Sequence, residues 1–187
     1  MNAFTEGLTL YRGVLTVIDQ CKDLLFATET GKYLKASGAL LRSTTARGGP
    51  ECEHLRRMLE NTPLTEETKA LCLSATLSLQ HIFNVQRLMP EPRGVVPVTL
   101  AWPVLISADF VGLLHALHPQ ALIIFAQYAV LLHRARNLWI FGDGGKFLIR
   151  SISELLGSKW GQYLESPLAA LSETLPSTSQ ETLMDEG

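Results

Sequence analysis

The sequence predicts an all-α fold: a single compact domain of about seven or eight helices around one central buried helix. Three observations predict it. Apolar residues recur at helical spacing along nearly the whole chain. The breaks between these stretches carry Pro, Gly, Ser or Thr, the residues that stop and start helices. The chain has 187 residues, one domain's length, with 47% apolar and 18% charged residues, which is enough apolar matter for a sizeable core.

Leu8, Tyr11, Leu15, Ile18 and Leu25 share one helical face, and Gly31 is a stop. A short helix over 32–41 follows, then a loop, "RSTTARGGP" (42–50). Residues 51–61 read as a helix with acids in the first turn, where its dipole favours them. Thr65 caps the next helix, with Glu66 and Glu67 behind it and Leu64 as a staple, and this helix runs to about Leu88. Leu71, Leu73, Ala75, Leu77 and Leu79 also alternate as a strand would; the cap favours the helix. The Pro-rich segment 90–103 is expected to be a connection packed on the surface.

Ser107 caps a helix that turns Phe110, Leu113, Leu114 and Leu117 inward. His118–Pro119 breaks it, and Pro119 suits the first turn of the next helix. That helix, 120–136, is apolar almost all round and is the expected centre, with His133, Arg134 and Arg136 at its C-terminal end. A helix from about Lys146 to Leu156 stops at Gly157. A short element covers 160–164, and Pro167 is expected to start a last turn. The domain is set at 1–171, and the polar segment 172–187 is expected to be a disordered acidic tail.

The formal net charge is −2 and the basic residues are scattered, so no basic stripe for nucleic acid is present. The longest apolar run, 121–132, is interrupted by Gln127 and is too short for a membrane span. Glu6 precedes any basic residue, against a signal peptide, so the expected location is cytoplasmic or nuclear rather than secreted. Cys21, Cys52 and Cys72 are widely spaced and odd in number, which suits buried free thiols in a reducing compartment.

The stretch "FGDGGK" (141–146) looks most like a site. A phosphate loop would need glycine where Ile140 stands and a hydroxyl where Phe147 stands. The dinucleotide fingerprint fails as well, because Phe147 occupies its third glycine position. The favoured reading is a tight turn where backbone passes close to a neighbouring helix, or an apolar-ligand version of that turn. His115 and His118 have metal-compatible spacing but no third ligand nearby, so no metal and no cofactor is expected. Phe125, Tyr128, Trp139, Phe141 and Phe147 lie within 23 residues, followed by Trp160 and Tyr163. They read as core, or as the wall of an apolar pocket between helices.

These residues carry a resemblance. "WPVLISADFVGLL" (102–114), "HPQALIIFAQYAVLLHR" (118–134), "LWIFGDGG" (138–145) and "ISELLGSKWGQYLESP" (152–167), in that order, resemble the C-terminal regulatory domain of fungal zinc-cluster transcription factors of the sterol uptake control type. "TLYRGVLTVI" (9–18) resembles an N-terminal helix of that family. The chain departs from the pattern at Ser166–Pro167, where the family has Trp-Pro, and at 141–145, where it often has a second aromatic and Gly-Trp-Gly. The cysteine-rich DNA-binding module is missing from this sequence, so no direct nucleic-acid contact is expected.

The resemblance implies a helical domain with a hydrophobic pocket that senses a lipid. Its lining would correspond to Phe110, Leu113, Leu114, Phe125, Tyr128, Trp139, Phe141, Gly142, Asp143, Gly144, Phe147 and Leu148. The expected function is therefore regulatory binding of a sterol-like, terpenoid or polyketide molecule, with a homodimer as one assembly. The alternative is a stand-alone enzyme of fungal secondary metabolism, a metal-free cyclase or isomerase. Its polar candidates are Tyr128, His133, Arg136 and Asp143.

Overall fold

The computed structural model describes residues 49–88 and 95–173. Among these residues there are seven α-helices and no strand, in agreement with the all-α reading. They are α1 (Glu53–Asn61), α2 (Glu66–Leu88), α3 (Val95–Leu105), α4 (Ala108–His115), α5 (Pro119–Arg134), α6 (Gly144–Leu156) and α7 (Gly161–Ala170), with a 3-10 turn at Ser158–Trp160. The expected helices at 8–25 and 32–41 lie outside the described residues.

The centre is α5. Every residue from Gln120 to His133 is buried, as a helix without a polar face requires. α6 and α7 lie along it, and α2 and α3 pack together beside it. Pro119 opens α5 at the position where a missing N–H costs nothing. α4 is capped by Ser107, whose hydroxyl accepts from the Phe110 N–H at 3.1 Å. It ends in a Schellman arrangement: the His118 N–H donates to the Leu113 carbonyl at 2.9 Å and the Leu117 N–H to Leu114 at 3.0 Å. Leu117 takes the left-handed position, φ 55°, that glycine usually fills. This turn bends the chain by 104° into α5.

The alternating stretch 71–79 is helical, and the Thr65 hydroxyl accepts from the Thr68 N–H at 3.2 Å, as its capping role demands. The segment 90–103 departs from expectation. From Val95 it is helix, not a surface connection, and Val98, Ala101 and Trp102 are core residues. Pro97 falls in the first turn, where a missing donor is harmless. Pro103 lies near the other end, so it removes one late hydrogen bond instead of breaking the helix in the middle. The Trp102 indole N–H donates to the Ala75 carbonyl at 3.0 Å and ties α3 to α2.

Pro167 likewise sits inside α7 instead of starting a turn. At the far end, Glu173 accepts two hydrogen bonds from the Arg134 guanidinium, at 3.0 and 3.1 Å, and its carbonyl accepts from Arg136 at 2.8 Å. The first acid of the expected tail is thus held against the end of α5.

No side chain caps α1 at its N-terminus. A polar network holds that end instead. The Cys52 N–H donates to Gln80 Oε1 at 2.9 Å, and Gln80 Nε2 donates to Glu51 at 2.7 Å and to Asn84 at 3.1 Å. Gln127 Nε2 donates to the Glu51 carbonyl at 3.0 Å. Arg87 completes it, donating to Asn84 and standing 3.4 Å from the Glu51 carboxylate. These bonds fix the start of α1 against α2 and α5.

Candidate functional site

The residues expected to line one pocket fall into two groups. Phe110, Phe125 and Tyr128 are buried and gather around Trp102. Trp102 stacks on Tyr128 at 4.7 Å between ring centroids and on Phe125 at 6.4 Å, and meets Phe110 edge-on at 6.0 Å. Phe125 and Tyr128 are 5.9 Å apart. Leu114 and Leu148 are buried in the same core, and Leu113 is half-buried against it. These rings satisfy one another across three helices, the arrangement of a packed core.

The second group lies on the turn between α5 and α6. Trp139 is 93% exposed and Ile140 50% exposed, so Trp139 stands apart from the aromatic group it neighbours in sequence. The reason is the turn geometry: successive bonds to the carbonyls of Ala135, Leu138 and Phe141 shape a turn in which Phe141 packs against the core while residues 139–140 stay outside. Asp143 is exposed and makes no side-chain capping bond; its carbonyl accepts from the Phe147 N–H at 2.9 Å. Phe147 is half-buried.

The glycines divide as sharply. Gly142 has φ 44°, and Gly144 has open space around it. At Gly145 a Cβ would stand 2.3 Å from the His133 nitrogen and 2.6 Å from the Ala129 carbonyl oxygen. The close approach expected of this run exists, and Gly145 makes it.

Of the polar candidates, Tyr128 belongs to the buried aromatic group. Burial pushes its hydroxyl upward from the ordinary tyrosine range. His133 is 3% exposed, and neither ring nitrogen has a hydrogen-bond partner. Burial, then the Arg136 charge, holds its pKa below the ordinary histidine value, while Asp143 and Glu173 oppose this. Arg136 donates to the carbonyls of His133 and Glu173. His133, Arg136 and Asp143 therefore share one neighbourhood, whereas Tyr128 packs with Trp102 and Phe125.

Among the described residues no group of three His, Cys, Asp or Glu could hold a metal ion. Cys52 and Cys72 are free and buried. Burial raises both thiols, Cys72 to about 11, so neither is a thiolate nucleophile near neutral pH.

One concavity lined by described residues is an open groove of about 460 Å³ between α1 and α7. Pro50, Glu53, His54 and Arg57 make one wall, and Gln162 and Tyr163 the other. Glu53 and Arg57 pair along α1 at 3.3 Å. His54 Nε2 is buried with no partner, and burial lowers that imidazole's pKa. Trp160 backs Tyr163 at 6.0 Å between ring centroids. Of the six lining residues only Tyr163 stands among the sequence candidates, as a member of the aromatic cluster read as core or pocket wall. Their walls lie about a hundred positions apart in the chain, and no motif links them.

Known proteins add no name to this geometry. No family model, curated protein or solved structure matches the chain.

Proposed function

We propose that this chain is a regulatory helical domain that binds a hydrophobic small molecule, and that the groove between α1 and α7 is where it binds. The observation that carries the proposal is the groove itself. Its volume of about 460 Å³ falls in the range of small-molecule sites, roughly 300–1,000 Å³. Its lining combines an aromatic face at Tyr163 and a proline at Pro50 with polar groups on both walls, Glu53, His54 and Arg57 on one and Gln162 on the other, which can orient a ligand with a polar end. The aromatic group at Trp102, ring against ring, offers no comparable space for a sterol-sized guest. The family resemblance supports the ligand class, a lipid or lipid-like molecule with one polar end.

His54 and Arg57 are the groups suited to that polar end. The unpartnered His54 Nε2 gains a hydrogen bond when an oxygen arrives, which is a larger gain than one made in water. The test is titration with ergosterol and with the anthraquinone emodin, read by the summed emission of Trp102 and Trp160 in a Trp139→Phe background, with Trp102 buried away from the groove. Trp160 reports because it adjoins Tyr163. Saturable quenching at micromolar concentration is expected, lost in Tyr163→Ala with the helical circular dichroism unchanged. Absence of saturable quenching by either compound, or equal quenching in Tyr163→Ala, refutes the assignment.

A further inference from the structure

The turn joining α5 to α6 presents two adjacent large apolar side chains to solvent. Trp139 is 93% exposed and Ile140 50% exposed, whereas the other exposed large apolar residues described, Leu77, Leu105 and Leu168, stand singly in the sequence. The turn is tied by backbone hydrogen bonds. The Leu138 N–H donates to Ala135, the Phe141 and Gly142 N–H groups to Leu138, and the Gly144 N–H to Phe141, all between 2.9 and 3.2 Å. Phe141 packs back against the core, and Trp139 and Ile140 remain exposed.

The charges around this tip are mostly positive. Arg136 is hydrogen-bonded to two carbonyl oxygens and to no carboxylate, and the nearby Glu173 carboxylate is bonded to Arg134 instead. Lys146 follows in the first turn of α6, and Arg150 lies one turn further on the same face. Neither is in an ion pair among the described residues. Arg134 absorbs Glu173, which leaves Asp143 as the acid closest in sequence to the tip. The chain as a whole has a net charge of −2, so this cationic surplus is local.

An indole that sits at a boundary, with free cations around it, matches the chemistry of an anionic lipid surface. No single described helix is long and apolar enough to cross a membrane; the exposed apolar pair lies on the turn, so the contact proposed is peripheral. We propose that residues 136–150 form a lipid-docking surface in which Trp139 and Ile140 enter the headgroup layer of an anionic membrane while Arg136, Lys146 and Arg150 face its charge. Two weak signals, apolar and electrostatic, act together, as reversible membrane binding requires. This surface involves none of the residues that line the α1–α7 groove.

The test is co-sedimentation of the full chain with phosphatidylcholine vesicles, with and without roughly a quarter phosphatidylserine, at low salt and at roughly 0.5 M. Binding about tenfold tighter to the phosphatidylserine vesicles is expected, and high salt erases that difference. Trp139→Ala/Ile140→Ala weakens partitioning about tenfold, and because both side chains are exposed the fold is retained, as circular dichroism verifies. Lys146→Glu/Arg150→Glu removes the preference for phosphatidylserine. Equal partitioning to both vesicle types, or an unaffected Trp139/Ile140 variant, overturns the proposal. So does a lipid-free dimer in sedimentation velocity that the Trp139/Ile140 variant dissolves, because a second copy would then be what covers the tip.

Discussion

Gly142 and Gly145 meet two different constraints within four positions, and Gly144 between them meets neither. Gly145 lies against the backbone of α5, where a Cβ would be 2.3 Å from one main-chain nitrogen and 2.6 Å from a main-chain oxygen. Backbone within a buried helix cannot step aside, so the two helices would have to separate. Gly142 has room but a left-handed φ of 44°, and Gly144 has neither restriction. Alanine substitutions should therefore rank clearly. Gly145→Ala should cost about 3 kcal/mol or more, through overpacking against immovable atoms. Gly142→Ala should cost about 1–2 kcal/mol, through backbone strain. Gly144→Ala should be neutral or gain up to about 1 kcal/mol, since it lies in the first turn of α6. Urea midpoints measure all three, and an unchanged midpoint for Gly145→Ala would remove the close-packing account. The sequence showed that backbone passes close here, but not which glycine allows it, because that depends on the angle at which α6 meets α5.

At the scale of elements, most helices were legible because cap and period agreed. Ser107 before α4, Pro119 in α5 and Thr65 before α2 are local signals that the structure uses as written. The helix α3 was not legible, because Pro97 and Pro103 read as breakers when each is weighed alone. Their places near the two ends make them tolerable, and tertiary packing through Trp102 supplies what propensity lacks. Trp102 contacts Phe110, Phe125 and Tyr128 and bonds to Ala75, so it joins α3 to α2, α4 and α5 at once. Trp102→Phe keeps most of the ring contact and loses the indole N–H and some volume, at about 1–3 kcal/mol. Trp102→Ala empties the junction, at about 3–5 kcal/mol. Equilibrium unfolding distinguishes the two. If Trp102→Ala proved as stable as Trp102→Phe, α3 would not be held by this side chain.

For the molecule as a whole, the candidate site was less legible than the fold. Aromatic residues at helical spacing build a core and a ligand wall with the same letters, so Phe125 and Tyr128 could not be told from pocket residues until their partners were known. The groove was hidden for the opposite reason, since its walls at 50–57 and 162–163 meet only in the fold. Histidines show a pattern of the same global kind. His54 on α1, His81 on α2, His118 before α5 and His133 near its end all have pKa values lowered from the ordinary 6.5, each chiefly by burial. Each also has at least one buried ring nitrogen without a partner. The unfolded chain therefore takes up protons near pH 6.5 while the folded chain still resists them, so acid favours unfolding. Stability should be level above about pH 7 and fall steadily as pH drops through 6 toward 5, well before the Glu173 carboxylate, held low by Arg134, is protonated. His133 is one contributor: both of its nitrogens are unpartnered and it is 3% exposed, and Arg136 and Lys146 add repulsion that Asp143 and Glu173 oppose. Urea unfolding at pH 7.5, 6.5 and 5.5 measures the slope, and His133→Leu should flatten it by up to about one proton's worth. A flat wild-type profile over that range would mean that the imidazoles gain solvent or partners on protonation, and burial would no longer explain their state.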